Sequence, residues 1–216
     1  MKSDFLWTLV PASLLIACVF LGAWLYERHR PPKEVIIEIP REIPRHLSRL
    51  EVNQLLLETW MGSEGDRLMD FYIEETGSRE VALYILTQAL AYEVPVHLAF
   101  ALCQQESNYL PTALNGHKNQ NKSKDIGLFQ LNTRTFSQYT QKELFDPMTN
   151  AHLGVWYLKS RSREYQTWEE ALMAYNSGYA EKMNYNSFQY MLRIIQTERR
   201  LDERFNEWVG PRKGRT

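Results

Sequence analysis

The chain has 216 residues, of which 44% are hydrophobic and 24% charged, and these values exclude a disordered or fibrous chain. Its 25 Lys+Arg and 26 Asp+Glu give a net charge of -1, so no overall charge favours nucleic acid, and no nucleic-acid partner is expected. The five histidines and two cysteines show no ligand spacing for zinc or iron, so we expect neither a metal nor a cofactor.

The chain begins with an apolar segment. Phe5 to Tyr26, FLWTLVPASLLIACVFLGAWLY, contains no charged side chain, and roughly 20 apolar residues suffice for a helix that spans a bilayer. Pro11 falls in its first third, where helices in lipid tolerate proline. We therefore expect residues 1–26 to form a single transmembrane anchor or a signal segment.

Two alternatives to an uncleaved anchor remain open, a cleaved signal peptide and a lipoprotein. Leu15-Ile16-Ala17-Cys18 resembles a lipobox, in which the cysteine is lipidated. The chain stays apolar from Val19 to Tyr26, however, where a signal sequence would turn polar. Three positively charged residues follow the apolar run, Arg28, Arg30 and Lys33. By the positive-inside rule they would keep the rest of the chain in the cytoplasm.

A proline-rich segment follows at residues 27–44. Proline fixes the backbone angle and removes a hydrogen-bond donor, which favours an extended linker over a helix. The β-branched stretch from Val35 to Ile39 leaves an edge strand as the alternative. The four prolines are Pro31, Pro32, Pro40 and Pro44.

Residues 45–216 predict one mainly helical domain, because apolar positions recur at helical spacing and no alternating run is long enough for a sheet. Early helices are expected from about His46 to Trp60, Ser78 to Tyr92 and Pro95 to Glu106. The third would bury Cys103, and since Cys18 lies in the apolar run, we expect no disulfide. The sequence predicts no role for Met61 to Thr76.

Two later helices are marked by caps and apolar stripes. Thr167 and Glu170 form a capping-box pattern, and Gly178 supplies a stop. A second apolar stripe follows at helical spacing, with Phe188, Met191, Leu192, Ile195, Leu201, Phe205 and Trp208. The polar segment from Asn115 to Lys124 is expected to be a long loop that borders a binding site.

Glu106 is the candidate catalytic residue. It lies one turn beyond Leu102 and Cys103 on the predicted helix, so its carboxyl borders an apolar face. Desolvation there would raise its pKa, as a general acid that works near neutral pH requires. A solvated glutamate at a helix end would have the same spacing, so the position alone does not decide between the two.

Four blocks in order resemble the soluble lytic transglycosylase family, whose domain is lysozyme-like. They are Glu106-Ser107-Asn108-Tyr109, Asp125-Ile126-Gly127-Leu128-Phe129-Gln130-Leu131-Asn132, Asn150-Ala151-His152-Leu153-Gly154 and Ala174-Tyr175-Asn176-Ser177-Gly178. The second is similar to the D-I-G-L-x-Q-x-N block of specialised members that open the cell wall for envelope machines. Phe129 replaces the usual methionine. The resemblance covers residues 78–187.

The resemblance implies cleavage of the β-1,4 bond between N-acetylmuramic acid and N-acetylglucosamine in peptidoglycan, without water and with a 1,6-anhydro product. Its alternatives are a hydrolytic muramidase similar to goose-type lysozyme and an inactive glycan-binding scaffold. Together with the apolar run from Phe5 to Tyr26, this activity predicts a single-pass protein of the bacterial inner membrane whose domain faces the wall in the periplasm. The similarity to the specialised members adds an envelope-spanning assembly as a further partner.

The resemblance assigns roles to seven residues. Glu106 would be the single catalytic acid and base, and no second carboxylate would take part. Asp125 is expected to hold a turn instead. The hydroxyl of Tyr175 would reach the Glu106 carboxyl, although its helical spacing equally predicts a core aromatic. The other groups that would bind substrate, orient Glu106 or line the cleft are Ser107, Phe129, Gln130, Asn132 and Asn176.

Overall fold

The computed structural model describes residues 48–116, 122–178 and 184–209. Within these ranges the chain forms eight helices and one small sheet, so the predicted mainly helical fold is confirmed. None of the described helices is long and apolar enough to cross a membrane. The predicted anchor at residues 1–26, Cys18 and the linker at residues 27–44 lie outside the described residues.

Four helices precede the sheet: α1 is Arg49–Met61, α2 Gly65–Thr76, α3 Arg79–Ala91 and α4 Val96–Ser107. Helices α1, α3 and α4 agree with the predicted ones to within a few residues. Ser48 caps α1 in a capping box with Glu51, and Ser78 caps α3. Helix α2 occupies most of the segment from Met61 to Thr76, for which no role was predicted, and its Leu68, Met69, Phe71 and Tyr72 are buried.

A three-stranded antiparallel sheet, which the sequence analysis did not predict, follows α4. Its strands are β1, Leu114–Asn115, β2, Asp125–Ile126, and β3, Leu131–Asn132, with β2 in the centre. Asp125 lies opposite Asn115 on one side and opposite Asn132 on the other. Strands of two residues are too short to show the alternation that predicts a sheet.

Four helices complete the domain: α5 is Gln141–Phe145, α6 Pro147–Glu164, α7 Trp168–Ser177 and α8 Tyr185–Val209. The predicted Thr167–Glu170 capping box is present, and Gly178 ends α7 with a left-handed φ of 81°. On α8 the buried positions include Tyr190, Met191 and Ile194, whereas Phe188 is 44% exposed. The predicted stripe was therefore wrong at Phe188.

Helix α1 is joined to the helices that flank the catalytic candidate. The Asn53 amide bridges the backbone before α4, since its Nδ2 donates to Val94 O (3.0 Å) and its Oδ1 accepts from Val96 N (2.8 Å). Arg49 makes two hydrogen bonds of 2.8 Å to the buried Glu198 of α8. These contacts fix α1 to the start of α4 and to the middle of α8.

Candidate active site

A cleft with a volume of about 320 Å³ lies between the end of α4, the sheet and the end of α7. Glu106 reaches it from α4, and Tyr157 closes one side from α6. The remaining residues around it are Asn115, Asp125, Gln130, Leu131, Asn132, Thr135, Phe136, Tyr175, Asn176, Ser177 and Gly178. Of the seven predicted site residues, the structure therefore places Glu106, Gln130, Asn132, Tyr175 and Asn176 around one cavity.

The Glu106 carboxyl lies in the last turn of α4, just beyond its buried stretch from Val96 to Cys103. Burial raises its pKa from 4.5 to about 7; the hydrogen bond from Tyr190 opposes this shift, and the negative charge of Asp125 adds to it. Removal of a carboxylate from water favours its neutral form, so the apolar surroundings dominate. A carboxyl with this pKa can donate and accept a proton near neutral pH.

The tyrosine that contacts Glu106 is Tyr190 of α8, whose hydroxyl donates to Glu106 Oε1. The prediction that Tyr175 makes this contact was wrong. The predicted apolar stripe places Phe188, Met191 and Leu192 on the inward face of α8, and it does not include Tyr190. In the structure the inward face of this part of α8 consists of Tyr190, Met191 and Ile194, which are buried.

Tyr190→Phe is expected to raise the pKa of Glu106 above about 7. In the wild type this hydrogen bond stabilises the ionised carboxyl, so its loss makes ionisation harder. Hydrogen bonds to charged groups are worth about 1.5–3 kcal/mol, which corresponds to about one to two pKa units. An NMR titration of the Glu106 carboxyl carbon would measure the change, with the signal assigned by its loss in Glu106→Gln. Tyr185→Phe, at an exposed position of α8, is the matched control; an unchanged or lower pKa in Tyr190→Phe would contradict the prediction.

Tyr175 supports the second sequence block. Its hydroxyl donates to Phe129 O at 2.9 Å, and its ring lies 5.0 Å from that of Tyr157. Tyr175 therefore lines the cleft with its side chain while its hydroxyl satisfies the backbone next to Gln130. Its interpretation as a core aromatic describes these contacts better than a direct contact with Glu106.

Ser107 also bonds to the backbone. Its Oγ donates to Leu128 O at 2.7 Å and lies 3.3 Å from Cys103 O. It does not line the cleft, and so the expected role in substrate binding is not supported by its position. Its hydrogen bond joins the end of α4, which carries Glu106, to the segment between β2 and β3.

Phe129 is fully buried and does not line the cleft, so that prediction was wrong. Its ring packs against α6 at Gly154, where a Cβ would lie 2.3 Å from Phe129 Cγ. Any side chain at position 154 would overlap this ring. Phe129 therefore anchors the segment between β2 and β3 to the core.

Gln130 and Asn132 face the cleft with side chains that are already held in place. Gln130 has a left-handed φ of 46°, its Nε2 donates to Gly127 O (2.9 Å) and its Oε1 accepts from Asn115 (2.7 Å). Asn132 Nδ2 donates to Asp125 Oδ1 at 2.7 Å. These bonds fix the polar groups around the cleft before any ligand enters. Asn176, at the end of α7, is exposed to solvent at the cleft.

Asn150 of α6 supports the backbone of the segment between β2 and β3, a role that was not predicted from the sequence. Its side chain is fully buried; Nδ2 donates to Ile126 O (2.8 Å) and Leu144 O (2.7 Å), and Oδ1 accepts from Phe129 N (2.8 Å). A Cβ at Gly127 would lie 2.4 Å from Asn150 Nδ2. Glycine is therefore needed at position 127 for this close approach as well as for its left-handed φ of 77°.

Asp125 lines the cleft from the central strand, where its Oδ1 accepts from Asn132. The position expected to hold a turn is a strand instead, and the expectation that no second carboxylate takes part in the reaction stays a prediction. Asp125 lies in β2, and its charge contributes to the raised pKa of Glu106. In the described part of the chain, no three His, Cys, Asp or Glu side chains form a group that could hold a metal ion.

The cleft thus combines a proton donor of near-neutral pKa with fixed polar groups, an arrangement suited to acid–base chemistry on a polar ligand. A model of the transglycosylase SLT domain matches residues 83–197, more than half of the chain. The protein therefore belongs to the transglycosylase SLT domain family, and its mainly helical fold is consistent with the lysozyme-like fold of that family. Members of the family are lytic transglycosylases that act on peptidoglycan. Comparisons with curated proteins and with solved structures gave no match.

Proposed function

We propose that the protein is a peptidoglycan lytic transglycosylase. It cleaves the β-1,4 bond between N-acetylmuramic acid and N-acetylglucosamine and leaves a 1,6-anhydro ring on the muramic sugar. The observation that carries this proposal is the Glu106 carboxyl, which lies in the cleft of an SLT domain with a pKa raised to about 7.

Glu106 performs both proton transfers of the reaction. The protonated carboxyl first donates its proton to the glycosidic oxygen, and the bond from that oxygen to the anomeric carbon breaks. The N-acetyl oxygen of the muramic sugar meets the positive charge at this carbon, the substrate-assisted route. The sugar's own 6-hydroxyl then bonds to the anomeric carbon, and the Glu106 carboxylate accepts the hydroxyl proton.

The environment of Glu106 suits both halves of this cycle. Burial favours the protonated carboxyl that the first step needs, and the Tyr190 hydrogen bond favours the carboxylate that the second step needs. Since the pKa lies near neutrality, neither form is costly to reach. Gln130, Asn132 and Asn176 contact the glycan. Ser107, Phe129 and Tyr175 instead hold in place the backbone of the segment between β2 and β3, which carries Gln130.

One observation favours a second candidate, a hydrolytic muramidase. Asp125 lies in the same cleft as Glu106, and glycosidases that use water pair two carboxyl groups. An inactive glycan-binding scaffold is the third candidate, and it gives no reason for a carboxyl of raised pKa in the cleft.

Mass spectrometry of purified cell-wall sacculi digested with the full-length protein separates the three candidates. Ring closure releases anhydro-muropeptides, and hydrolysis releases products that are heavier by one water. We expect anhydro products. Products that carry the added water would instead identify a muramidase, and the absence of any released fragment would leave only a binding role.

We also propose that the protein is a single-pass protein of the bacterial inner membrane, with residues 1–26 as its anchor and the SLT domain in the periplasm. This proposal rests on the uncharged run from Phe5 to Tyr26 and on a substrate that lies outside the cytoplasm. Lipidation at Cys18 is its alternative, and an envelope-spanning assembly is a further proposed partner. A protease added to intact spheroplasts should degrade the domain; full protection would contradict the orientation.

A further inference from the structure

Helix α1 has apolar side chains on two opposite faces. Its inner face packs into the domain, where the buried residues are Val52, Leu56 and Thr59. On its outer face three large apolar side chains are exposed to solvent, Leu50 (78%), Leu57 (45%) and Met61 (70%). Because an α-helix has 3.6 residues per turn, these three lie within about 20° of one line along the helix. A surface helix ordinarily has polar residues on this side, and an exposed apolar stripe indicates a binding surface.

Gln54 lies on the same line and completes a heptad pattern. From Leu50 the next positions follow after four, three and four residues, at Gln54, Leu57 and Met61. This is the alternation of core positions d, a, d and a in a coiled coil, where leucine is typical at d and a polar side chain at one a position sets the register. The outer face of α1, defined by these four residues, therefore has the pattern of one half of a short two-stranded coiled coil.

We propose that the outer face of α1 binds the same face of a second copy of this chain, with the two helices parallel. The direction follows from two exposed glutamates at position e, Glu51 and Glu58. An antiparallel pair would place the e positions of the two helices side by side and bring like charges together. A parallel pair places Glu58 of each copy opposite position g of the other, the uncharged Asn53.

The size of the face suits a dimer that forms on a membrane. Three apolar side chains provide less than the roughly 800 Å² per partner of a standard interface, so the pair is weak between free molecules. Attachment of both copies to one membrane raises their effective concentration, as a linker does. Two chains that start from one membrane also run in the same direction into α1. The inference therefore rests on the proposed anchor at residues 1–26, and it is independent of the cleavage reaction.

The dimer leaves both clefts open. Helix α1 contacts the start of α4, where Asn53 bonds to Val94 O and Val96 N. Glu106 lies in the last turn of α4, roughly 15 Å further along that helix. Loss of the dimer should therefore not change the cleavage activity of the single domain.

Disulfide cross-linking of the full-length protein in lipid vesicles tests the dimer. Replacement of Cys18 by serine leaves Cys103, which is buried, as the native cysteine. The two copies of position 50 meet in a parallel pair and lie at opposite ends of an antiparallel one. Leu50→Cys should therefore form linked dimers under mild oxidation at least about tenfold faster than Asp70→Cys, an exposed position on α2 that serves as the matched control.

A second substitution tests whether the outer face itself forms the contact. Leu57→Glu places a charge between the two helices and, at an exposed position, should not affect folding. In the Leu50→Cys protein it should slow cross-linking by about tenfold or more. Cross-linking of Leu50→Cys at the rate of the Asp70→Cys control, or at a rate that Leu57→Glu leaves unchanged, would overturn the dimer.

Labelling of Leu50→Cys with a maleimide identifies the other possible occupants of the outer face. Protection in vesicles but not in detergent, without cross-linking, would show that the lipid surface covers it. Protection in both, again without cross-linking, would show that another segment of the same chain does. Either result would overturn the dimer.

The anchor, the dimer and the reaction fail in different ways. Protein that does not float with the vesicles would overturn the anchor and the dimer with it, whereas protein that floats without cross-linking would overturn the dimer alone. Leu57→Glu should release anhydro-muropeptides like the wild type in detergent. If the wild type releases none, the proposed transglycosylase function fails, whatever the result of cross-linking.

Discussion

Glu106→Gln is expected to lower the release of anhydro-muropeptides by about 10²- to 10⁴-fold, the range that general acid–base catalysis contributes. Glutamine has nearly the same shape as glutamate but cannot give a proton to the glycosidic oxygen or take one from the 6-hydroxyl. Mass spectrometry of digested sacculi measures the loss. Glu58→Gln, an exposed site on α1, should cleave like the wild type.

The same substitution should stabilise the domain at alkaline pH. The folded protein holds the pKa of Glu106 at about 7, above its ordinary value of 4.5, so the stability it contributes is complete below about pH 4.5 and is lost as the pH rises through about 7. Glutamine does not ionise, so the stability of Glu106→Gln relative to the wild type should increase by about 2.5 kcal/mol from pH 5 to pH 8. Urea unfolding at both pH values measures this difference. A gain that does not depend on pH would show that Glu106 is not desolvated.

Asn150→Ala is expected to lower the free energy of unfolding by about 3–5 kcal/mol. It removes the partners of three backbone groups, Phe129 N, Ile126 O and Leu144 O, and each buried group without a partner costs about 1–3 kcal/mol, partly offset if water enters. Glycan cleavage should fall as well, since Phe129 precedes Gln130 in the cleft. Chemical denaturation measures the stability.

The control for Asn150 is Asn186→Ala, an exposed site in the first turn of α8, where the change should stay within about 0.5 kcal/mol. Asn150→Asp should be nearly as damaging as alanine, because an aspartate oxygen would face the two carbonyls that the amide now satisfies. A loss below about 1 kcal/mol in both variants would contradict the support that Asn150 is inferred to give to the cleft.

Local signals in the sequence sufficed for α1, α3, α4, α7 and α8. The Thr167–Glu170 box and Gly178 define α7 from residues a few positions apart, and such contacts form in any chain with that pattern. The sheet and α5 were missed because two-residue strands and a five-residue helix contain too few positions for a period. Element length thus limited the prediction of the sheet and α5, but not of α2 and α6, which have 12 and 18 residues and were also not predicted.

Site residues that belong to a sequence motif could be predicted. Contacts between residues that are far apart in the sequence could not. Glu106 and Gln130 lie in the cleft as the blocks suggested. Tyr190 is 84 residues from Glu106, and the choice between it and Tyr175 depends on how α8 is rotated against α4. No local pattern specifies that rotation, because Phe188 and Tyr190 are both suited to an apolar face.

The contacts of α1 determine where this domain begins as a folding unit. A protein trimmed to the family-matched segment, residues 83–197, would lose Asn53, and Val94 O and Val96 N would then have no partner at the start of α4. It would also lose Glu198, the buried partner of Arg49 on α8. A minimal recombinant catalytic fragment should therefore start before Ser48 and extend through Val209, well outside the boundaries that family resemblance alone would suggest.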